Sequence, residues 1–180
     1  MSATTTAAMR STEAVTLTKF PGRPTLRRVN ITRDEISGQY AMFKTTHPDF
    51  PLGSRFGFAA AVMKQTTFIR LHNDVAAVAN ALPENWEFQH PDRPTAYDET
   101  IANNSGDNAR RRREAQHPEK IKEHDLFENL EAIYKRKIEE AYDDVYLRNL
   151  RNDVLGFSHV TVREMLEHLQ NQCLAINDLD

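Results

Sequence analysis

The sequence has only one cysteine and no long apolar run. Cys173 on its own excludes an intramolecular disulfide and any zinc site built from several cysteines. No stretch of about 18 consecutive apolar residues is present, and residues 1–8 lack the basic and then apolar order of a signal peptide. We therefore expect a cytoplasmic chain that has no membrane partner.

Recognisable catalytic motifs are also missing. The chain has no glycine-rich phosphate loop, no nucleophile elbow and no pair of carboxylates spaced for acid and base catalysis. Among seven histidines, we single out His168 because it shares a predicted helix face with the carboxylate of Glu164, and such surface pairs are far commoner than metal sites. We predict no catalytic residue, no metal, no cofactor and no small-molecule substrate, so an enzyme is not expected.

Length and composition limit the fold. With 180 residues, of which 39% are hydrophobic, the chain can form one domain with a core while part of it stays outside that core. We predict a mainly α protein, a small helical bundle with a disordered N-terminal arm. Residues 55–63 leave two alternatives open, because their length and glycine favour a short strand or hairpin whereas their alanines favour a helix.

Positive charge is concentrated at the N-terminus. The formal net charge is -3, yet residues 1–33 contain six basic residues and one acidic residue. Residues 1–19 are rich in Ser, Thr and Ala, and the prolines and glycine that follow disfavour helix and strand. We predict a disordered basic arm over residues 1–30, which could contact a polyanion weakly and in a salt-sensitive way. A solvated leader without a ligand explains the same composition.

The first helix is predicted from a capping pattern. Thr32 and Glu35 have the spacing of a capping box, and the helix should continue to about Lys44. It belongs to an N-terminal helical region over residues 31–81. A loop rich in proline and asparagine is predicted over residues 82–108.

The strongest helical periodicity lies in the C-terminal region, residues 109–180, which we expect to form one domain with residues 31–81. Between Ile121 and about Ala141, apolar residues recur at spacings of three and four, which predicts an amphipathic helix. An aspartate that follows, Asp143 or Asp144, is suited to cap a further short helix.

A structural joint is predicted before the last helix. Gly156 permits a sharp turn, after which Thr161 and Glu164 have the spacing of a second capping box. Leu155, with its apolar neighbours, should pack beneath the flanking helices. The residues assigned to the joint are Gly156, Phe157, Thr161, Glu164 and Leu166.

The same joint could instead be a DNA-reading helix-turn-helix. That alternative requires basic and amide side chains on the exposed face of the second helix. Here the face would present Arg163 together with Glu164 and Glu167, and residues 152–180 carry one basic residue against five acidic ones. Repulsion from the phosphates argues against this alternative.

Two groups of arginines are candidates for contact with nucleic acid. One lies in the predicted arm and the other is a run of four that follows the predicted loop. For the run, a solvated first helical turn is the alternative. The candidate residues are Arg23, Arg27, Arg28, Arg110, Arg111, Arg112 and Arg113.

The C-terminal region resembles a known family. Over roughly residues 121–170, the stretches 142–150, 153–157 and 160–169 resemble the Gag-like segment of copia-type LTR retrotransposons, and residues 56–71 show a looser likeness. The resemblance implies an all-helical, capsid-type protein of a transposable element, which self-assembles around element RNA and does structural rather than catalytic work.

The sequence therefore predicts two alternative functions. The first expectation is a Gag-like module that forms homo-oligomers and contacts RNA weakly and without sequence specificity. The alternative is a small helical nucleic-acid-binding or regulatory protein that uses its basic arm.

Overall fold

The computed structural model describes residues 16–19, 21–95 and 107–177, and within these ranges the chain is mainly helical and forms no β-sheet. The predicted fold class is confirmed. The described residues form five α-helices, in chain order α1 (Leu26–Met42), α2 (Gly53–Phe56), α3 (Gln65–Asn73), α4 (Asp107–Ala141) and α5 (Val162–Asn177). Short 3-10 helices lie at Ala59–Ala61, Val78–Asn80, Asp144–Tyr146 and Arg148–Leu150.

Helix α1 begins earlier than the sequence predicts. Its cap is Thr25, whose hydroxyl accepts a hydrogen bond from the Arg28 N–H at 3.4 Å. The predicted cap, Thr32, is buried in the middle of α1, where its hydroxyl donates to the Arg28 carbonyl and lies 2.8 Å from the Tyr142 hydroxyl. The capping box proposed at Thr32 is therefore wrong, because a tertiary partner uses this hydroxyl.

The segment before α1 contacts the folded part of the chain. The Leu17 side chain is buried, and the Thr18 hydroxyl donates to a Glu35 carboxylate oxygen at 2.7 Å. The predicted boundary at residue 30 is too late, since residues 26–30 belong to α1. Residues 1–15 and residue 20 of the predicted arm lie outside the described residues.

Residues 55–63 contain the end of α2 and a 3-10 helix joined by a turn, which settles the alternative against a strand or hairpin. Gly57, with φ +55°, turns the chain between α2 and the 3-10 helix Ala59–Ala61. A Cβ at Gly57 would lie 2.6 Å from the carbonyl oxygens of Phe43 and Tyr40, so only glycine fits this close approach to α1. The backbone N–H of Phe58 donates to the Tyr40 carbonyl rather than to a neighbouring strand.

The core lies where α1 and α4 each pack against α5, and large side chains of α1 and α4 meet between them. Its centre is a group of aromatic rings, in which Phe127 of α4 lies 5.2 Å from Phe50 and 5.5 Å from Phe58 between ring centroids. Tyr40 of α1 contacts Tyr134 of α4 at 5.5 Å. The apolar stripe predicted for α4 is buried here, and α4 ends at Ala141 as predicted.

Helix α4 starts well before its predicted beginning at Ile121. It runs from Asp107 through Pro118, so the predicted loop 82–108 overlaps its first two residues, and residues 96–106 lie outside the described residues. The part of α4 before Ile121 includes the exposed residues 114–116 and 118–120. Exposed helical turns do not need an apolar face, which explains why this part of the sequence shows no apolar periodicity.

Residues 82–95 are irregular but fixed to α3. The Trp86 ring stacks on Phe68 at 5.4 Å. The Asn73 side chain donates to the Leu82 carbonyl at 2.9 Å and accepts from the Leu82 N–H at 2.8 Å. This segment therefore covers one side of the core without regular structure.

Candidate functional site

The joint before α5 contains the predicted capping box. The Thr161 N–H donates to a Glu164 carboxylate oxygen at 2.7 Å, and the Glu164 N–H donates to the Thr161 hydroxyl at 3.2 Å. Phe157 and Leu166 are buried on either side of this start. Local side chains thus satisfy amides at the beginning of α5, as the spacing in the sequence predicts.

A second cap comes from α4 and was not predicted. Glu131 accepts hydrogen bonds from the Val162 N–H at 2.8 Å and from the Tyr40 hydroxyl at 3.1 Å, and Lys135 lies 4.0 Å away. Burial raises the pKa of Glu131, although these three partners favour its ionised form. The only signal in the sequence was a glutamate within the apolar stripe of α4.

Arg163 is not on an exposed reading face, so its predicted placement is wrong. Its guanidinium donates to the carbonyl oxygens of Ala61 at 3.1 Å and Met63 at 3.2 Å, and also to that of Ala60. It lies over the Phe88 ring at 5.6 Å, and burial lowers its pKa. Because these contacts occupy the side chain that a DNA reader would need, they weigh against the helix-turn-helix alternative.

The joint begins with a tight loop over residues 152–156, which we call the apolar loop. Asn152 and Gly156 exchange both backbone hydrogen bonds at 2.9 Å, and Gly156 has φ +59°. The Asn152 side-chain oxygen accepts from the N–H groups of Val154 and Leu155, each at 2.9 Å. Four hydrogen bonds within five residues hold this backbone in one conformation.

The apolar loop directs two apolar side chains into solvent. Val154 is 89% exposed and Leu155 is 56% exposed. The prediction that Leu155 packs beneath the helices is therefore wrong, whereas Phe157 and Val160, which follow the Gly156 turn, are buried. The short ring of hydrogen bonds closes before the chain reaches the core, so the tip of the loop points outward.

One further exposed apolar residue and several charged residues lie beside the apolar loop. Asp144 pairs with Arg151 at 3.5 Å and with Arg148 at 3.8 Å, which brings the preceding 3-10 helices next to the loop. Val145, the neighbour of Asp144, is also exposed. Apolar side chains and charges of both signs therefore occur in one part of the surface.

The arginines predicted in the arm have different environments. Arg23 and Arg27 are exposed near the start of α1. Arg28 is partly buried, and its guanidinium donates to the carbonyl oxygens of Pro21 at 3.2 Å and Arg23 at 3.5 Å. Arg28 thus holds the segment before α1 in place, a role the sequence did not indicate.

The second group of arginines lies at the other end of the molecule. Arg111 is exposed on the first part of α4, while the side chains of Arg110, Arg112 and Arg113 lie outside the description. At a rise of 1.5 Å per residue, Arg111 is about 45 Å from the end of α4. That end lies beside α1, because Tyr142 contacts Thr32. The two groups therefore do not form one basic patch.

No protein-family model, no curated protein and no solved structure matches the chain. Within residues 16–19, 21–95 and 107–177, no three His, Cys, Asp or Glu side chains are grouped so that they could hold a metal ion. Nor does a helix in these ranges combine the length and apolar composition needed to cross a membrane. The function must be inferred from the surfaces of the chain itself.

Proposed function

We propose that the chain is a helical self-association module, of the structural kind that its resemblance to copia-type Gag segments implies. The observation that supports this most directly is the apolar loop, whose backbone is held by its own hydrogen bonds while Val154 and Leu155 are exposed. A surface that is already ordered loses little conformational entropy when it binds. Burial of these side chains therefore stabilises a complex with little cost in ordering the loop.

The partner we propose is a second copy of this chain. In a two-fold contact the same surface meets itself, so it must be complementary to itself. Next to the apolar loop, Arg148 and Arg151 supply positive charge and Asp143 supplies negative charge, and Asp153 within the loop adds a second negative charge, all on exposed side chains. Rotation of one copy against another can place opposite charges together around an apolar centre.

The contact should be weak in isolation. Full burial of a valine or leucine side chain contributes about 1.5–3 kcal/mol, and association must first offset the loss of translational and rotational freedom. We therefore expect reversible association that strengthens only when several contacts act together, as in an assembly.

Light scattering over a range of protein concentrations tests this proposal. The average mass of the wild-type chain should rise with concentration, and the double variant Val154→Ser/Leu155→Ser should remain close to the monomer mass. Val78→Ser is the matched control, because Val78 is 94% exposed and lies in a 3-10 helix elsewhere. A mass that does not change with concentration, or an equal effect of the control, would contradict the proposal.

Contact with RNA is a second candidate, favoured by the exposure of Arg23 and Arg27 next to the start of α1. Such contact would be weak and independent of sequence, because it relies on phosphate neutralisation. Fluorescence anisotropy with single-stranded RNA should show a steep loss of affinity as salt is added. Arg23→Gln/Arg27→Gln should reduce the slope of log K against log salt by about 1.4, the value for two lost phosphate contacts. Arg70→Gln, at an exposed arginine on α3, is the control.

A further inference from the structure

We propose that a cleft between α1 and the start of α3 binds a small tetrahedral oxyanion, either free phosphate or a phosphate monoester. The cleft has a volume of about 220 Å³. At about 30 Å³ per water molecule, this volume accommodates a phosphate group with part of its hydration. The side chains that line the cleft and enter the argument are Asn30, Arg33, Asp34, Ser37, Lys64 and Thr67.

Buried polar atoms without a partner are concentrated around this cleft. In the described part of the chain, five buried side-chain atoms have no hydrogen-bond partner, and three of them belong to cleft residues: Asn30 Oδ1, Arg33 Nε and Ser37 Oγ. Arg33 is only 4% exposed and Ser37 only 8%. Buried polar groups in proteins are nearly always hydrogen-bonded, and the Arg33 Nε–H and the Ser37 hydroxyl can both donate, so these two point to a ligand that supplies acceptors.

Arg33 provides the charge for such a ligand. One of its terminal nitrogens donates to the Gln170 side chain at 3.0 Å, which fixes the guanidinium and leaves Nε without a partner. Among the described residues Arg33 forms no ion pair, and burial lowers its pKa. A bound anion would compensate for the loss of hydration that this burial causes.

The start of α3 contributes a second source of positive potential. Lys64 immediately precedes this nine-residue helix, Thr67 lies in its first turn, and no side chain caps its free amides. Unpaired N–H groups and the helix dipole favour an anion at this position. Arg163 donates a hydrogen bond to the Met63 carbonyl, just before α3, and so holds the backbone amides at the start of α3 in place.

The chemistry of the cleft suits an oxyanion with several acceptor oxygens. Donors are available from the Arg33 guanidinium, the Ser37 and Thr67 hydroxyls and the Lys64 ammonium group. The amide of Asn30 can present either its oxygen or its nitrogen, since the two are interchangeable by rotation. Asp34 in the cleft and Glu167 of α5, which both interact with the Arg33 charge, oppose an anion. Arg33, Lys64 and the nearby Arg163 outnumber them, so the local charge is net positive.

Thermal unfolding of the full chain in increasing inorganic phosphate tests the site, with chloride at matched ionic strength and acetate as a planar anion. We expect a saturable rise in Tm with phosphate that neither chloride nor acetate reproduces. Phenyl phosphate tests the monoester form, and a response to it or to inorganic phosphate supports the site. An equal rise with chloride or acetate, or no rise with either phosphate compound, overturns the proposal.

Variants show whether the effect arises in this cleft. Lys64→Gln and Ser37→Ala should each weaken phosphate binding by about tenfold, as expected for one lost hydrogen bond to a charged group. Ser37→Ala removes a hydroxyl that has no partner, so the chain without phosphate should remain folded. Asp34→Asn should strengthen binding, and Lys120→Gln, at an exposed lysine of α4, should have no effect. An equal phosphate response in all four variants overturns the assignment to this cleft.

This inference is independent of the proposed self-association. The cleft lies between α1 and α3, and the apolar loop precedes α5, so no residue is shared. Val154→Ser/Leu155→Ser should therefore leave the phosphate response unchanged, and failure of one proposal does not imply failure of the other.

Discussion

Glu131 accepts a hydrogen bond from the backbone N–H of Val162 at 2.8 Å, so a side chain of α4 caps the start of α5. The start of α5 therefore has two caps, one from the neighbouring Glu164 and one from a buried carboxylate of another helix. Because α5 directly follows the joint, this second cap also fixes the position at which the apolar loop leaves the body of the protein.

The two caps should differ in their contribution to stability. Glu131→Ala leaves the Val162 N–H and the Tyr40 hydroxyl buried without an acceptor, so we expect a loss of about 2–6 kcal/mol. Glu164→Ala removes an exposed cap and should cost about 1 kcal/mol. Urea unfolding of both variants measures the difference, and equal losses would show that the buried contact adds nothing.

The buried carboxylate should also give stability a specific dependence on pH. Burial raises the pKa of Glu131 above its ordinary value of 4.5, so in this range the folded state binds more protons than the unfolded state. This contribution is fully present below pH 4.5 and is lost as pH rises through the folded pKa.

Comparison with Glu131→Gln isolates this effect, because glutamine does not titrate. The stability of the wild type relative to Glu131→Gln should fall as pH rises above 4.5, the ordinary pKa of a glutamate, and through the raised pKa of the folded state. Urea unfolding at several pH values provides the measurement. If this stability difference is constant or grows with pH, the pKa of Glu131 is not raised in the folded protein, and the inference is contradicted.

Features that depend on adjacent residues could be predicted from the sequence. The hydrogen bonds between Thr161 and Glu164 form within one helical turn, and the apolar stripe that ends at Ala141 follows from helical periodicity alone. The turn at Gly156 depends on the φ of a single residue. Each of these requires no knowledge of distant partners.

Features that depend on distant partners could not be predicted. Thr32 has the spacing of a cap but hydrogen-bonds Tyr142, and Arg163 has the spacing of an exposed residue but contacts the backbone around Ala61. Leu155 is apolar, but the hydrogen bonds of Asn152 direct it outward. In each case tertiary structure determines which of several locally acceptable roles a side chain adopts.

Arg163 should contribute more to stability than its place near a helix start suggests. Arg163→Ala leaves three backbone carbonyls without their donor and should cost about 2–4 kcal/mol. Arg163→Lys keeps the charge but not the forked geometry, so its loss should be intermediate. Urea unfolding checks the order, with Arg70→Ala as the exposed control. A loss from Arg163→Ala no larger than that from Arg70→Ala would contradict this account, whereas equal losses from Arg163→Lys and Arg163→Ala would mean that the forked geometry, and not the charge, carries the contribution.

Two glycines with positive φ should respond differently to substitution. Gly57→Ala places a Cβ 2.6 Å from two carbonyl oxygens of α1 and its end, whereas Gly156→Ala meets nothing within 4 Å. Gly156→Ala should cost about 1–2 kcal/mol for the left-handed backbone alone. Gly57→Ala should cost clearly more, because the backbone must also move. Urea unfolding of the two variants measures both losses. A larger loss for Gly156→Ala than for Gly57→Ala would contradict this explanation.

The central claim is that the apolar loops of two copies meet. Cross-linking with a short bis-maleimide reagent tests it most directly, because Val154→Cys places a thiol at the tip of the loop while the native Cys173 is buried. Val78→Cys provides an equally exposed thiol at a site outside the proposed contact. The proposal predicts a covalent dimer in high yield from Val154→Cys and little from Val78→Cys. Equal yields from the two variants would contradict it.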